Sequence, residues 1–135
     1  MDDQDVAFNL FNEDNNYGLY KNMLEHATNP DSDDWRNPPE STFLMRNLLK
    51  NTTFKNDFVT RHESLLATTF APANVKALIN QMKAVIEPEM PRHIKTWGDA
   101  GPDYTTIQLW NDNIDVVIDF AENRPAIVKE HLKGF

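Results

Sequence analysis

The chain contains no cysteine, only four glycines, and no apolar run approaching the roughly 18 residues that a membrane-spanning helix requires. Without cysteine there are no disulfides, no thiolate catalysis and no Cys-ligated zinc in this chain, although the compartment stays open. The glycines, Gly18, Gly98, Gly101 and Gly134, form no phosphate-cradling loop and no G-x-S-x-G elbow. Positive charge is scarce too. Thirteen Lys and Arg against 21 Asp and Glu leave a formal net charge of -8. That balance excludes a nucleic-acid surface as the leading expectation, because phosphate binding draws its affinity from clustered cations and counterion release. Basic peptides and metal ions suit the charge better. The mean hydropathy of -0.60 agrees with the expected absence of a membrane span. No targeting segment is expected either, since the first residues are acidic where such peptides begin basic and then turn apolar.

What is present fits one globular domain: 135 residues, 40% of them apolar, can enclose a core. Residues 9–38 are rich in Asn, Asp, Gly and Pro, lack a sustained period, and read as loop with one short helix near Tyr20 to His26. A loop of that length inside a compact domain tends to be functional or to pack on another surface. From Pro39 onward the period is helical. Phe43, Leu44, Leu48 and Leu49 share one face, and Asn51 supplies a stop and a new N-cap. Phe54, Phe58, His62, Leu65, Leu66 and Phe70 follow at helical spacing. Pro72 then opens a helix with a face of Val75, Leu78, Ile79, Met82, Val85 and Ile86. Pro88 and Pro91 permit a fresh short helix carrying Met90, Ile94 and Trp97, closed by Gly98.

Thr105 and Gln108 have capping-box spacing before the stripe Ile107, Trp110, Ile114, Val117, Ile118 and Ala121, and Arg124-Pro125 ends that helix or starts another. With no alternating pattern anywhere, the expected fold is all-α: an irregular N-terminal segment followed by a five- to six-helix bundle.

The residues that could carry chemistry are few. Asp3 and Asp5 flank one residue in Asp3-Gln4-Asp5-Val6-Ala7-Phe8-Asn9. On an extended segment they point to opposite sides, so by itself the pair reads as a solvated acidic terminus. His26, His62, His93 and His131 show no H-x-x-x-H or H-E-x-x-H spacing, which argues against a zinc hydrolase. His62 falls on an apolar stripe and is expected to have a backbone partner. Arg92, His93 and Lys95 form a small cationic group, read as a solvated face with anion binding as the alternative. Asp112, Asp115, Asp119 and Glu122 make an acidic stripe opposite the apolar one and read as solvated. Trp97 and Trp110 read as core.

Taken in order, the segment from Asn37 to Gly98 and the stretch Phe120-Ala121-Glu122-Asn123-Arg124-Pro125-Ala126-Ile127-Val128-Lys129-Glu130-His131-Leu132 resemble the C-terminal helical part of the CotH family, the spore-coat-protein-H-like atypical protein kinases. The resemblance runs from Asp3 to Leu132. In that family the helices follow a motif of the form D-x-D-x-A/S-F-G, which Asp3 to Asn9 matches except that Asn9 stands in the glycine place. Asn tolerates the left-handed region less well than Gly, so the turn after Phe8 is expected to differ. His62 stands where the family commonly has an aromatic, and Ala71 where a capping Ser is usual.

The resemblance implies that Asp5 coordinates the Mg²⁺ or Mn²⁺ that bridges ATP phosphates, with Asp3 a second ligand or a structural neighbour. It divides residues 1–135 into a metal-motif and loop segment, 1–38, and a helical subdomain, 39–135, of a kinase acting on Ser or Thr of a protein substrate, which the acidic charge of the chain would favour as basic and Ser-rich. Phosphate-covering, catalytic-Asp and metal-binding-Asn elements would lie upstream, so the isolated chain is expected to hold no cofactor and to be inactive. A homodimer through exposed apolar surface and a secreted, cell-surface or spore-coat setting are further implications. The alternative is a non-catalytic helical protein-binding or structural module. An exposed apolar patch around residues 1 to 38 would favour the kinase reading.

Overall fold

The helices start and stop largely where short-range chemistry tells them to. The computed structural model describes residues 8, 17–33, 37–98 and 106–135. Among these lie seven α-helices: α1 Tyr17–Tyr20, α2 Met23–Thr28, α3 Phe43–Leu48, α4 Thr52–Ala67, α5 Pro72–Ile86, α6 Met90–Trp97 and α7 Ile107–Lys133. A 3₁₀ turn at Glu87–Glu89 joins α5 to α6. With α1 a single turn and no strand among the described residues, the fold is the expected all-α one. The short helix anticipated near Tyr20 to His26 is divided between α1 and α2.

Asn22 and Asn51 cap α2 and α4, their side-chain oxygens accepting the N–H of Glu25 at 3.2 Å and of Phe54 at 3.1 Å. Pro72 begins α5, and Pro91 sits in the first turn of α6, where the missing N–H costs nothing. At the start of α5, Ala71 has the extended backbone of an N-cap but no side-chain acceptor. Ala71→Ser should therefore raise stability by about 1 kcal/mol, or about 3 °C in melting temperature. Thermal unfolding followed by circular dichroism measures it, and an unchanged midpoint would refute the expected cap.

Two local expectations are corrected. The N-cap of α7 is Thr106, whose hydroxyl accepts the Leu109 N–H at 3.0 Å. That register puts Gln108 one position too early to reach back to the cap, and it donates to Asp112 at 2.7 Å instead. Secondly, Pro125 neither ends a helix nor starts one, because α7 continues through it. Proline inside a helix deprives the carbonyl four residues back of its donor and costs roughly 3 kcal/mol. Burial of the Pro125 ring opposes that loss.

The core is organised on α7, which packs against α1, α4, α5 and α6. Its buried residues are Trp110, Ala121, Pro125 and Leu132, spaced 11, 4 and 7 apart, close to whole helical turns. Leu19 of α1 and Met90 of α6 add to this stripe. The Lys83 ammonium lies 5.6 Å from the centre of the Trp110 ring, and Lys76 bridges to Glu122 at 3.1 Å, tying α5 to α7 at two levels. The bridge is exposed, so it contributes at most about 1 kcal/mol.

Several apolar residues read as core are not. Trp97 is 62% exposed, and Met82 and Val85 on α5 are 62% and 74% exposed. On α5 the half-buried positions Val75 and Ile79 are one turn apart, while Leu78, Met82 and Val85 form a neighbouring stripe that remains open. Phe43 and Leu44 of α3 are open as well. Exposed apolar surface is thus present, but among the described residues it lies mainly on α3, α5 and α6, with Phe8, Tyr20 and Met23 as its part within residues 1–38.

Candidate functional site

Phe8, the aromatic residue of the acidic motif, is seated against the last helix. Its ring meets that of Phe120 on α7 edge-to-face, with centroids 5.6 Å apart and planes at 77°. Such a pair places the positive edge of one ring on the negative face of the other. Phe8 takes φ = 60°, in the left-handed region that bulky side chains rarely adopt. The altered turn anticipated after Phe8, at Asn9, lies outside the described residues.

Beside the two rings opens a cleft of about 480 Å³ between the end of α4, the start of α5 and the middle of α7. Leu66, Phe70, Val75 and Leu78 form one wall, and Ala121 and Pro125 the other. Asp3, Asp5 and Asn9 lie outside the described residues. No group of three or more metal-ligating side chains occurs among the described residues. Hard carboxylate oxygens are the donors that Mg²⁺ and Mn²⁺ take, so Asp5 and Asp3 fit such an ion by donor chemistry.

At the back of the cleft stands Arg124. Its guanidinium donates through Nη1 to the Leu19 carbonyl and through Nη2 to the Lys21 carbonyl at 2.8 Å. It thereby caps the C-terminal end of α1 from a position 105 residues away in sequence. Burial lowers its pKa from the usual arginine value.

The remaining candidates resolve as ordinary structure. Nδ1 of His62 lies 3.1 Å from the Phe58 carbonyl, which can only accept, so Nδ1 carries the proton. The His62 ring also lies against that of Phe58, tilted by 44° with centroids 4.2 Å apart. Arg92 pairs with Glu89 at 2.8 Å in an exposed contact beside His93. The acidic stripe is solvent-facing, with Asp112 held by Gln108, Asp119 by Asn123 and Glu122 by Lys76. No helix of the described residues is long and apolar enough to cross a membrane.

Sequence reasoning missed Phe120 and Arg124. Phe120 lies off the principal apolar stripe of α7, and no short-range pattern pairs it with Phe8. Arg124 did leave a signal, since it falls seven residues after Val117, on a periodic apolar position where a cation needs buried acceptors.

With an all-α body and a motif phenylalanine docked on its longest helix, the chain can be set beside known families. The family model described as CotH kinase protein matches residues 2–128, from the acidic motif to the last turns of α7. The chain belongs to the CotH kinase protein family. No curated protein and no solved structure matches it.

Proposed function

We propose that this chain is the C-terminal part of a CotH-type protein kinase domain, with residues 1–38 as metal-motif and loop segment and 39–135 as helical subdomain. The intact kinase transfers the ATP γ-phosphoryl group to Ser or Thr of a protein substrate. The observation that carries this reading is the family match across the acidic motif, whose Phe8 packs on Phe120. In this reading the Asp5 carboxylate holds Mg²⁺ or Mn²⁺, and Asp3 is a second ligand or a structural neighbour. Phosphoryl transfer gains chiefly from positioning and charge neutralisation, which a bound divalent ion supplies. The roles of phosphate-covering loop, phosphate-binding Lys and catalytic Asp are assigned to no residue here, so the isolated chain is inactive. The net charge of -8 favours basic, Ser-containing substrates. A surface or spore-coat setting belongs to the same proposal.

The test uses Mn²⁺ as a paramagnetic probe in NMR, with and without ATP. The amide of Phe8 should broaden first under excess Mn²⁺, ATP should not lower the Mn²⁺ concentration required because the phosphate-holding roles are assigned to no residue here, and Asp5→Ala should abolish the effect. Broadening confined to the Asp112, Asp115 and Asp119 stripe, or unchanged by Asp5→Ala, would sink the metal assignment. In the same samples, basic Ser-containing peptides should bind more tightly than acidic ones; the reverse order would refute the substrate inference.

The alternative, a non-catalytic helical protein-binding module, would bury its apolar face by itself, whereas the stripe of Leu78, Met82 and Val85 on α5 is open. A second copy of the chain covering that stripe would give the homodimer. The same experiment favours the non-catalytic module if Mn²⁺ does not broaden the Phe8 amide at all.

A further inference from the structure

We infer that the outward face of α5 is the interface of a symmetric homodimer, in which two copies of the helix pack antiparallel with Met82 of each beside the two-fold axis. This rests on the homodimer included in the reading above and deepens it by giving the face, the direction of pairing and the residues that meet.

The first observation is charge. α5 carries two charged residues, Lys76 and Lys83, and both turn toward α7, where they reach Glu122 and the Trp110 ring. From Ala73 to Ile86 the exposed positions of the helix are therefore uncharged, on a chain whose net charge is -8. Two copies of an acidic chain repel wherever carboxylates meet, and this face, about 20 Å long, places none of its own in the contact. The second observation is area. Phe70, Leu78, Met82, Val85 and Ile86 are 49–74% exposed, and Phe70 and Leu78 join at the wall of the cleft. Each leaves on the order of 100 Å² open, about 500 Å² together, the size at which a patch on a single chain is commonly functional. The uncharged positions between them, Ala77, Asn80, Gln81 and Ala84, bring the face close to the roughly 800 Å² per partner of a stable interface. The third observation is the order of residues along the helix. A two-fold interface must be self-complementary. Leu78, Met82 and Val85 are spaced four and three apart, so the stripe reads nearly the same in both directions. With the axis between Gln81 and Met82, Leu78 of one copy meets Val85 of the other, and Ala77 leaves room for Ile86. A parallel pair would instead set Ala77 against Ala77 and Ile86 against Ile86, a gap beside a bulge.

Sedimentation equilibrium of the full chain tests this. The mass should rise with concentration toward twice 15.6 kDa, and association should tighten as salt is raised, because screening relieves the repulsion between two acidic chains. Met82→Glu should raise the dissociation constant by about two orders of magnitude, since it sets two carboxylates together at the axis. Met82 is 62% exposed, so the variant should keep its helices, which circular dichroism verifies. Phe43→Glu, at an equally open apolar position on α3, should leave association unchanged. Because the chain has no cysteine, single introduced thiols report the pairing: Leu78→Cys and Val85→Cys, mixed and oxidised, should cross-link to each other and not each to itself. A chain that stays monomeric at every concentration would overturn the proposal and assign the face to a different protein. A dimer that survives Met82→Glu, or that weakens as salt rises, would overturn it as well. Self-cross-linking of each thiol variant without the mixed product would overturn the antiparallel pairing. The Mn²⁺ response of Phe8 does not depend on association, so failure here is distinct from failure of the metal assignment.

Discussion

Trp110→Ala is expected to remove about 3–5 kcal/mol of folding stability, the range for deleting a large buried aromatic side chain. Trp110 is 6% exposed and lies near the N-terminal end of α7, under the Lys83 ammonium of α5. The loss should be severe because the described core is thin, with Leu19, Met90, Ala121 and Leu132 as its other buried hydrophobic residues. A domain of this size commonly has only about 5–15 kcal/mol in all, so the variant should unfold at much lower urea or lose its cooperative transition. Trp110→Phe, which refills most of the space, should recover more than half of the loss. Trp97→Ala is the internal comparison, since Trp97 is 62% exposed and should cost well under 1 kcal/mol. Equal effects of the two alanine variants in urea titrations would show that the core is not centred on α7.

Arg124→Ala is expected to cost about 3 kcal/mol. The substitution leaves the Leu19 and Lys21 carbonyls without their guanidinium donors, and hydrogen bonds from a charged group contribute about 1.5–3 kcal/mol each, though not additively. Arg124→Lys should recover only a minor part, because a single ammonium cannot present a planar fork to two carbonyls. The damage should also be local. α1 is a single turn with little helical stability of its own, so its amides should lose protection from hydrogen exchange before those of α4 and α5. Uniform loss of protection across all helices would mean that Arg124 supports the whole body and does not specifically hold α1.

The elements read correctly from sequence share one property: their causes lie within a helical turn or two. Asn51 caps α4 by bonding to Phe54, three residues on, and Pro72 and Pro91 open helices by their own fixed φ. Where the cause is not local, the sequence reading went astray. Thr105 and Thr106 are equivalent as side chains, and the cap is Thr106, whose backbone is extended at the start of α7. Pro125 signals a break by its own chemistry, yet α7 runs through it with the ring buried. Leu78, Met82 and Val85 have helical spacing whether or not anything covers them, so periodicity could not distinguish a buried stripe from an open one.

The candidate site divides in the same way. The acidic motif and its family were legible because they are written in consecutive residues, Asp3 to Asn9, followed by a helical pattern that the CotH kinase protein family shares. The partner of Phe8 was not, since Phe120 comes from the far end of the chain. By itself, then, the sequence determined the helical class, most helix boundaries and the family, all of which depend on spacing and on residues a few positions apart. Only the tertiary structure decided that α7 is the centre, that Arg124 clasps α1, and that Phe8 docks on Phe120. Contacts between distant segments depend on which helix faces meet, and periodicity marks a face without naming its partner.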